Sequence, residues 1–169
     1  MTEKESRAWV FGDNVDTDLL APGQFMKSSI EELSRHCLEA LDPDFARSVQ
    51  PGDMVVGRRN FGAGSSREQA PQALKHLGVA AVVAESFAGL FYRNALSLGL
   101  PALVCAQAGR IRAGDRLYID PEAGRLENLT TGETLACEPI PAFLMQMVRD
   151  GGLVPHLEKQ LSRAKGTGL

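Results

Sequence analysis

Long apolar runs are missing from this sequence: the longest unbroken stretch of hydrophobic residues, positions 79–84, covers six, far below the ~20 that a helix needs to cross a bilayer. A membrane-spanning helix is therefore excluded. Aromatic residues make up only 6%, with a single Trp, and no stretch clusters Lys or Arg; eighteen basic residues against twenty-one acidic ones leave a net charge of −3. With neither base-stacking platforms nor a phosphate-neutralising patch, nucleic acid is not an expected partner. Cysteine is equally sparse. Cys37, Cys105 and Cys137 lie far apart without a C-x-x-C pair, and His36, His76 and His156 are the only histidines. That excludes a disulfide framework and gives no reason to expect a metal or cluster site held by this chain alone; the thiols are expected to be small buried hydrophobes. The opening Met1-Thr2-Glu3-Lys4-Glu5-Ser6-Arg7 alternates charge and has no apolar core before a cleavage site. No secretory signal is read there, and the expected location is cytoplasmic.

What is present suits one domain. A chain of 169 residues with 44% hydrophobic and 23% charged residues is long enough to bury its own core. No repeat or linker divides it, so the expected domain spans residues 1–169, with a core over about 9–157 and a loose tail at 164–169.

The centre reads as strands joined by helical crossovers, which predicts a parallel α/β sheet. Pro51-Gly52-Asp53 is turn chemistry leading into the apolar Met54-Val55-Val56, and residues 79–84 are apolar throughout, as a strand covered on both faces should be. Ser86 is positioned to cap a helix carrying Phe87, Leu90, Phe91, Ala95 and Leu98, closed by Gly99 and Pro101, after which residues 102–106 form another strand. Beyond Gly109, short apolar stretches separated by turns predict antiparallel hairpins. Two helices close the domain, one from Pro141 to Arg149 and one carrying Leu153, Leu157 and Leu161.

The N-terminal third is less regular. Trp9-Val10-Phe11 predicts a strand, followed by the acidic loop Gly12-Asp13-Asn14-Val15-Asp16-Thr17-Asp18. An irregular segment comes next, then a helix from Ile30 to Leu41 ended by Asp42-Pro43. The spacing of the loop carboxylates fails the EF-hand pattern, so turn formation and backbone capping are their expected work.

The chemistry concentrates in Asn60-Phe61-Gly62-Ala63-Gly64-Ser65-Ser66-Arg67-Glu68, between a buried strand and a helix. Pro71 is tolerated only near a helix start, which puts Ser65, Ser66 and Arg67 at its N-terminus. Free backbone N–H groups and a guanidinium there favour an anion, and they bring a serine hydroxyl closer to acting as a base. Either Ser65 or Ser66 can fill that role. A Walker loop needs Lys where Gly64 stands. A dinucleotide fingerprint would use Gly62, Gly64 and Glu85, but its third glycine is replaced by Arg67. A nucleophile elbow lacks its trailing glycine.

Taken with Ser86-Phe87-Ala88-Gly89-Leu90-Phe91-Tyr92-Arg93-Asn94, the acidic loop, the Pro51-Gly52-Asp53 turn and the Gly-Ser-Ser-Arg segment resemble the small-subunit family of 3-isopropylmalate dehydratase, the swivelling domain of the aconitase superfamily. The likeness runs from about Trp9 to about Leu157. It implies a swivelling β/β/α fold of the α/β class, with central parallel strands, crossover helices and an antiparallel part. It also implies a heteromeric hydro-lyase whose separate large subunit holds a [4Fe-4S] cluster, with no cofactor bound by this chain.

By the same resemblance Ser65 removes the proton beside a substrate carboxylate and Arg67 binds that carboxylate, while Gly64 and Ser66 are supporting donors. Asp16, Thr17, Asp18 and Asn60 form the supporting loops. Gln24-Phe25-Met26-Lys27 falls where relatives read the substituent of the malate, with Phe25, Met26 and Lys27 as the contact residues. The implied reaction isomerises 2-isopropylmalate to 3-isopropylmalate through 2-isopropylmaleate, a step of leucine biosynthesis. Relatives often carry Cys at the position of Ala63 and His at that of Gln69. At the position of Lys27, isopropylmalate enzymes favour an apolar residue and homoaconitase-like ones an arginine. A homoaconitase-type or methylmalate-type small subunit, or a non-catalytic anion-binding module, are the alternatives.

Overall fold

The computed structural model describes residues 6–166. The opening at positions 1–5, where the charge alternation was read, and positions 167–169 of the tail lie outside the described residues. Seven strands, β1 (Ser6–Val10), β2 (Met54–Val56), β3 (Ala81–Ala84), β4 (Ala102–Val104), β5 (Arg116–Asp120), β6 (Arg125–Asn128) and β7 (Thr134–Ala136), form one sheet in the order β4-β3-β2-β1-β5-β6-β7. Strands β1 to β4 are parallel; β5, β6 and β7 continue the sheet antiparallel from the far side of β1. Seven α-helices accompany them: α1 (Thr17–Leu20), α2 (Ile30–Ser34), α3 (Phe45–Ser48), α4 (Gln69–His76), α5 (Gly89–Ser97), α6 (Ala142–Arg149) and α7 (Leu153–Gly166). Helices α4 and α5 make the crossovers from β2 to β3 and from β3 to β4.

The apolar runs are strands buried on both faces because successive side chains enter different cores. Val55, Val82 and Ala84 pack with Phe11, Leu20, Phe45 and Leu74. Met54, Val56, Ala81 and Val83 pack on the other side with Leu103, Ile119, Leu126 and Met145. In the antiparallel part, buried Leu117 and Ile119 alternate with less buried Tyr118 and Asp120, so one face is covered and the other is wet.

Asp53 is a structural residue. It is 3% exposed, and its carboxylate accepts from the backbone N–H of Arg7 (3.2 Å) and Gln50 (2.9 Å) and from the indole N–H of Trp9 (3.0 Å). The turn of Pro51-Gly52-Asp53 thereby locks β1 beside β2. Asp53→Ala leaves these donors without their acceptor and is expected to cost about 3 kcal/mol, or roughly 6–12 °C in Tm for a chain of this size. Thermal unfolding followed by the single Trp reads this directly.

Several boundaries differ from the sequence reading. The helix expected from Ile30 to Leu41 ends at Ser34, because Leu38 takes a left-handed φ of 58° and donates its N–H to Leu19 O at 2.9 Å. Ser86 does not cap α5, whose N-cap is Ala88; its hydroxyl instead accepts from Asn60 N–H at 2.8 Å. Helix α7 takes in positions 164–166 of the C-terminal tail. Its stripe, Leu153, Leu157 and Leu161, is exposed rather than buried. The link from α6 to α7 is polar: the Asp150 carboxyl is held at about 2 by hydrogen bonds from His156, Lys159 and Gln146. Among the described residues no helix is long and apolar enough to cross a membrane.

Candidate active site

The acidic loop leaves the carboxyl end of β1, and the Gly-Ser-Ser-Arg loop leaves the carboxyl end of the neighbouring parallel strand β2. Adjacent strands running the same way deliver their following loops to one edge of the sheet, where ligands of open α/β sheets bind. The two loops are then joined to each other. Gly62 N–H donates to Val15 O at 2.7 Å and Thr17 N–H to Ala63 O at 2.9 Å, a short parallel bridge of Asp16 with Ala63.

Glycine is required at Gly62. Its φ is +83°, and a Cβ there would overlap the Phe91 ring. At Gly64, φ +101°, a Cβ would press on the Thr17 hydroxyl at 3.2 Å. That hydroxyl is the partner of the candidate base: Thr17 Oγ1 and Ser65 Oγ are 3.3 Å apart. Thr17 is buried at the start of α1, and Asp16 caps this helix by accepting from Leu19 N–H at 2.8 Å. Gly64, Ser65 and Ser66 are exposed.

Arg67 is fixed from the acidic loop. Its Nη1 donates to Asp18 Oδ1 at 3.2 Å and to Ala21 O at 2.8 Å; among the described residues Nη2 and Nε have no protein partner. Asp18 Oδ1 also accepts from Gly23 N–H at 2.9 Å. That backbone bond, followed by the one from Arg67, holds the Asp18 carboxyl below its usual range. One carboxylate therefore ties the Arg67 loop to the 3-10 turn Gly23–Phe25. Asn60, left-handed at φ 58°, donates from Nδ2 to Asn14 Oδ1 at 3.1 Å, supporting the loop pair from the other end.

Two expectations need correction. Ser65, Ser66 and Arg67 do not form the helix N-terminus: α4 begins at Gln69 with Glu68 as its N-cap. The left-handed glycines and the bonds to Thr17, Asp18 and Ala21 hold this stretch out of helical geometry, so loop groups, rather than the first turn of a helix, shape the site. The Arg67 guanidinium, moreover, contacts Asp18 and Ala21 and not the Ser65 hydroxyl. Phe25 and Met26 are half-buried against the core and Lys27 is exposed; the Asp18 link brings their turn to the Arg67 side of the loops.

The sequence reading missed the Ala21 carbonyl and the Asn14 amide as anchors, since neither belongs to a motif. It also missed that Cys105 and Cys137, far apart in sequence, meet inside the fold, where Glu138 N–H bonds to Val104 O at 2.8 Å. All three cysteines are buried, as expected. Burial pushes the Cys37 thiol far up, and Cys105 and Cys137 share one core cluster, where each shifts the other's titration. These thiols do not fit as exposed cluster ligands. Among the described residues no group of three or more His, Cys, Asp or Glu is placed to hold a metal ion.

The aconitase C-terminal domain model matches residues 31–108. The isopropylmalate/citramalate isomerase small subunit of Methanocaldococcus jannaschii is 44% identical over 95% of this chain and 97% of its own length. The methanogen homoaconitase small subunit of Methanothermobacter thermautotrophicus is 47% identical over 92% of this chain and 91% of its own. The 3-isopropylmalate dehydratase small subunit 1 of Thermotoga maritima is 47% identical over 94% and 97%. A crystal structure of 3-isopropylmalate dehydratase from Methanocaldococcus jannaschii superposes with a TM-score of 0.89 at 38% identity, covering 96% of this chain and 98% of that one.

Proposed function

Because this chain belongs to the family of 3-isopropylmalate dehydratase small subunits, within the aconitase superfamily, we propose that it supplies the base and a carboxylate anchor to a two-subunit hydro-lyase that interconverts 2-isopropylmalate and 3-isopropylmalate. The observation that carries this reading is an exposed Ser65 hydroxyl, hydrogen-bonded to Thr17, two residues from an Arg67 guanidinium whose Nη1 is held by Asp18 and Ala21 and whose Nη2 and Nε have no partner among the described residues.

Ser65, as the alkoxide, takes the proton from the carbon beside a substrate carboxylate, while the free Nη2 and Nε donors of Arg67 hold a carboxylate in bidentate geometry. Transfer of that proton to Ser65 and loss of hydroxide from the neighbouring carbon leave 2-isopropylmaleate, a protonated Ser65 and one hydroxide, which together account for the water removed. Return of hydroxide to the other carbon, with Ser65 giving back its proton, completes the isomerisation. The [4Fe-4S] cluster, expected on the large subunit, supplies Lewis-acid activation of the hydroxyl that leaves. Gly64 and Ser66 offer further donors at the rim, while Asp16, Thr17, Asp18 and Asn60 keep the two loops in register.

One observation favours a second reading. Lys27 is exposed, and among the described residues no carboxylate pairs with it. Its ammonium is free to meet the extra acid group of a homoaconitate-type substrate, while its stem can equally line an apolar pocket. The test is anaerobic reconstitution with the candidate large subunit, offering isopropylmalate, homocitrate-type and methylmalate-type acids in parallel. Turnover of isopropylmalate by the complex, with none by the chain alone, is the expected result. Lys27→Val is expected to reduce kcat/KM for tricarboxylates about 10-fold or more, the loss of one charge-assisted contact, and to leave isopropylmalate within about twofold. A complex that turns over none of these acids overturns the proposal.

A further inference from the structure

Directly behind the segment that carries Phe25, Met26 and Lys27 lies a side chain that no part of the proposed reaction uses. The His36 ring is stacked on the Phe25 ring, with centroids 3.6 Å apart and planes within 6°. Its two nitrogens each face a carboxylate: Nδ1 is 2.7 Å from Glu39 Oε2, and Nε2 is 3.3 Å from Glu32 Oε1. A neutral imidazole has one N–H and one lone pair, so it can satisfy only one of these oxygens and sets its lone pair against the other. The geometry calls for the doubly protonated ring. A planar cation lying on the face of Phe25 is then attracted by the ring quadrupole as well as by packing.

We infer that His36 is a positioning residue for substrate selection: clamped between Glu32 and Glu39, it holds Phe25 from beneath and so fixes the short turn that presents Met26 and Lys27 to the substituent of the malate. The inference rests on the function proposed above and deepens it.

The placement of the anchors supports this role. The turn Gly23–Phe25 is only three residues long and has no side-chain cap. At its start it is held by the bond from Gly23 N–H to Asp18, the carboxylate that also holds Arg67. At its end the His36 stack is the polar anchor, so the segment is fixed at both ends, once to the candidate active site and once to the turn after α2. The charged groups facing the imidazole are Glu39 and Glu32, with Arg35 on the other oxygen of Glu32 at 3.1 Å. Glu39, followed by Glu32, raises the His36 pKa above its ordinary 6.5. Folded-state stabilisation from the ring is thus complete below about 6.5 and is lost as pH rises through the higher folded value.

Two measurements test the inference. In the isolated full chain, proton NMR should show His36 ring protons shifted upfield by the Phe25 face, returning to ordinary positions in Phe25→Leu. In the reconstituted complex, His36→Gln is expected to raise KM for the preferred acid about five- to tenfold and to narrow the ratio between competing acids, with kcat within about twofold. His36→Arg restores a planar cation able to stack and to meet both carboxylates, and should return KM to within about twofold of the parent; a purely structural role would show no such split and no such rescue. Unshifted ring protons in the parent chain overturn the stack. An unchanged KM and acid ratio in a folded, complex-forming His36→Gln variant overturn the positioning role. A parent complex inactive on every acid instead overturns the proposed function and the selection role with it, while the NMR measurement still decides the stack.

Discussion

Ser65→Ala is expected to lower kcat of the reconstituted two-subunit enzyme by about 10³-fold, within the range for loss of a general base, while the variant still binds the large subunit. The reason lies in how little else the side chain does. Ser65 is exposed, and among the described residues its hydroxyl has a single protein partner, Thr17 Oγ1 at 3.3 Å. Removing it takes the Ser65 partner from the buried Thr17 hydroxyl, while the Thr17 backbone stays bonded to Ala63, so the loop pair should keep its shape and stability should fall by about 1 kcal/mol. Steady-state kinetics beside a complex-formation assay separates the two effects. Near-parental turnover in Ser65→Ala would remove this residue from the role of base and direct attention to Ser66, which the residues alone leave as an equal candidate.

The second large effect is expected at Arg67. Lysine there keeps the charge but not the fork. Nη1 is engaged by Asp18 and Ala21, and under the proposed function Nη2 and Nε, without a partner among the described residues, hold the substrate carboxylate, two jobs that a single ammonium cannot do together. Arg67→Lys should therefore lower kcat/KM by about 10²-fold, the loss of one or two charge-assisted hydrogen bonds, with KM rising and the fold intact. If the lysine instead stays with Asp18 and turnover is near parental, the substrate carboxylate is held elsewhere.

The acid limb of this anchor has a defined sign. The Asp18 carboxyl is depressed below its ordinary 3.8 by Gly23 N–H and by Arg67. The ion pair is thus complete above 3.8 and is lost only as pH falls through the lower folded value. Titration of Asp18 should not limit activity at neutral or mildly acidic pH.

The Ser65 and Arg67 predictions concern residues picked out by motif, and what surrounds them shows how far a motif reaches. The strands over β2 and β3 were legible because runs of Val and Ala with no polar position can only be strands covered on both faces. The antiparallel part was legible from regularly spaced turns. Helix starts were misplaced at Ser65–Arg67 and at Ser86 for one physical reason. A serine before an apolar period is an ordinary N-cap signal, but here each hydroxyl is engaged by a distant loop, Ser65 with Thr17 and Ser86 with Asn60. Local propensity carries no record of a partner 26 or 48 residues away.

By itself, then, the sequence determined the composition limits, the alternation that makes a parallel α/β core and the residue types able to hold an anion, because these depend on side-chain chemistry and short-range spacing. Only the tertiary structure decided which groups meet. It set Thr17 against Ser65, shared Asp18 between Arg67 and Gly23, placed His36 beneath Phe25 and joined Cys105 to Cys137. The loop pairings follow from β1 and β2 lying side by side, the His36 contact from the chain folding back after α2, and the cysteine contact from the segment after β7 returning to β4. They are set by sheet order and long-range packing, which no window of neighbouring residues contains.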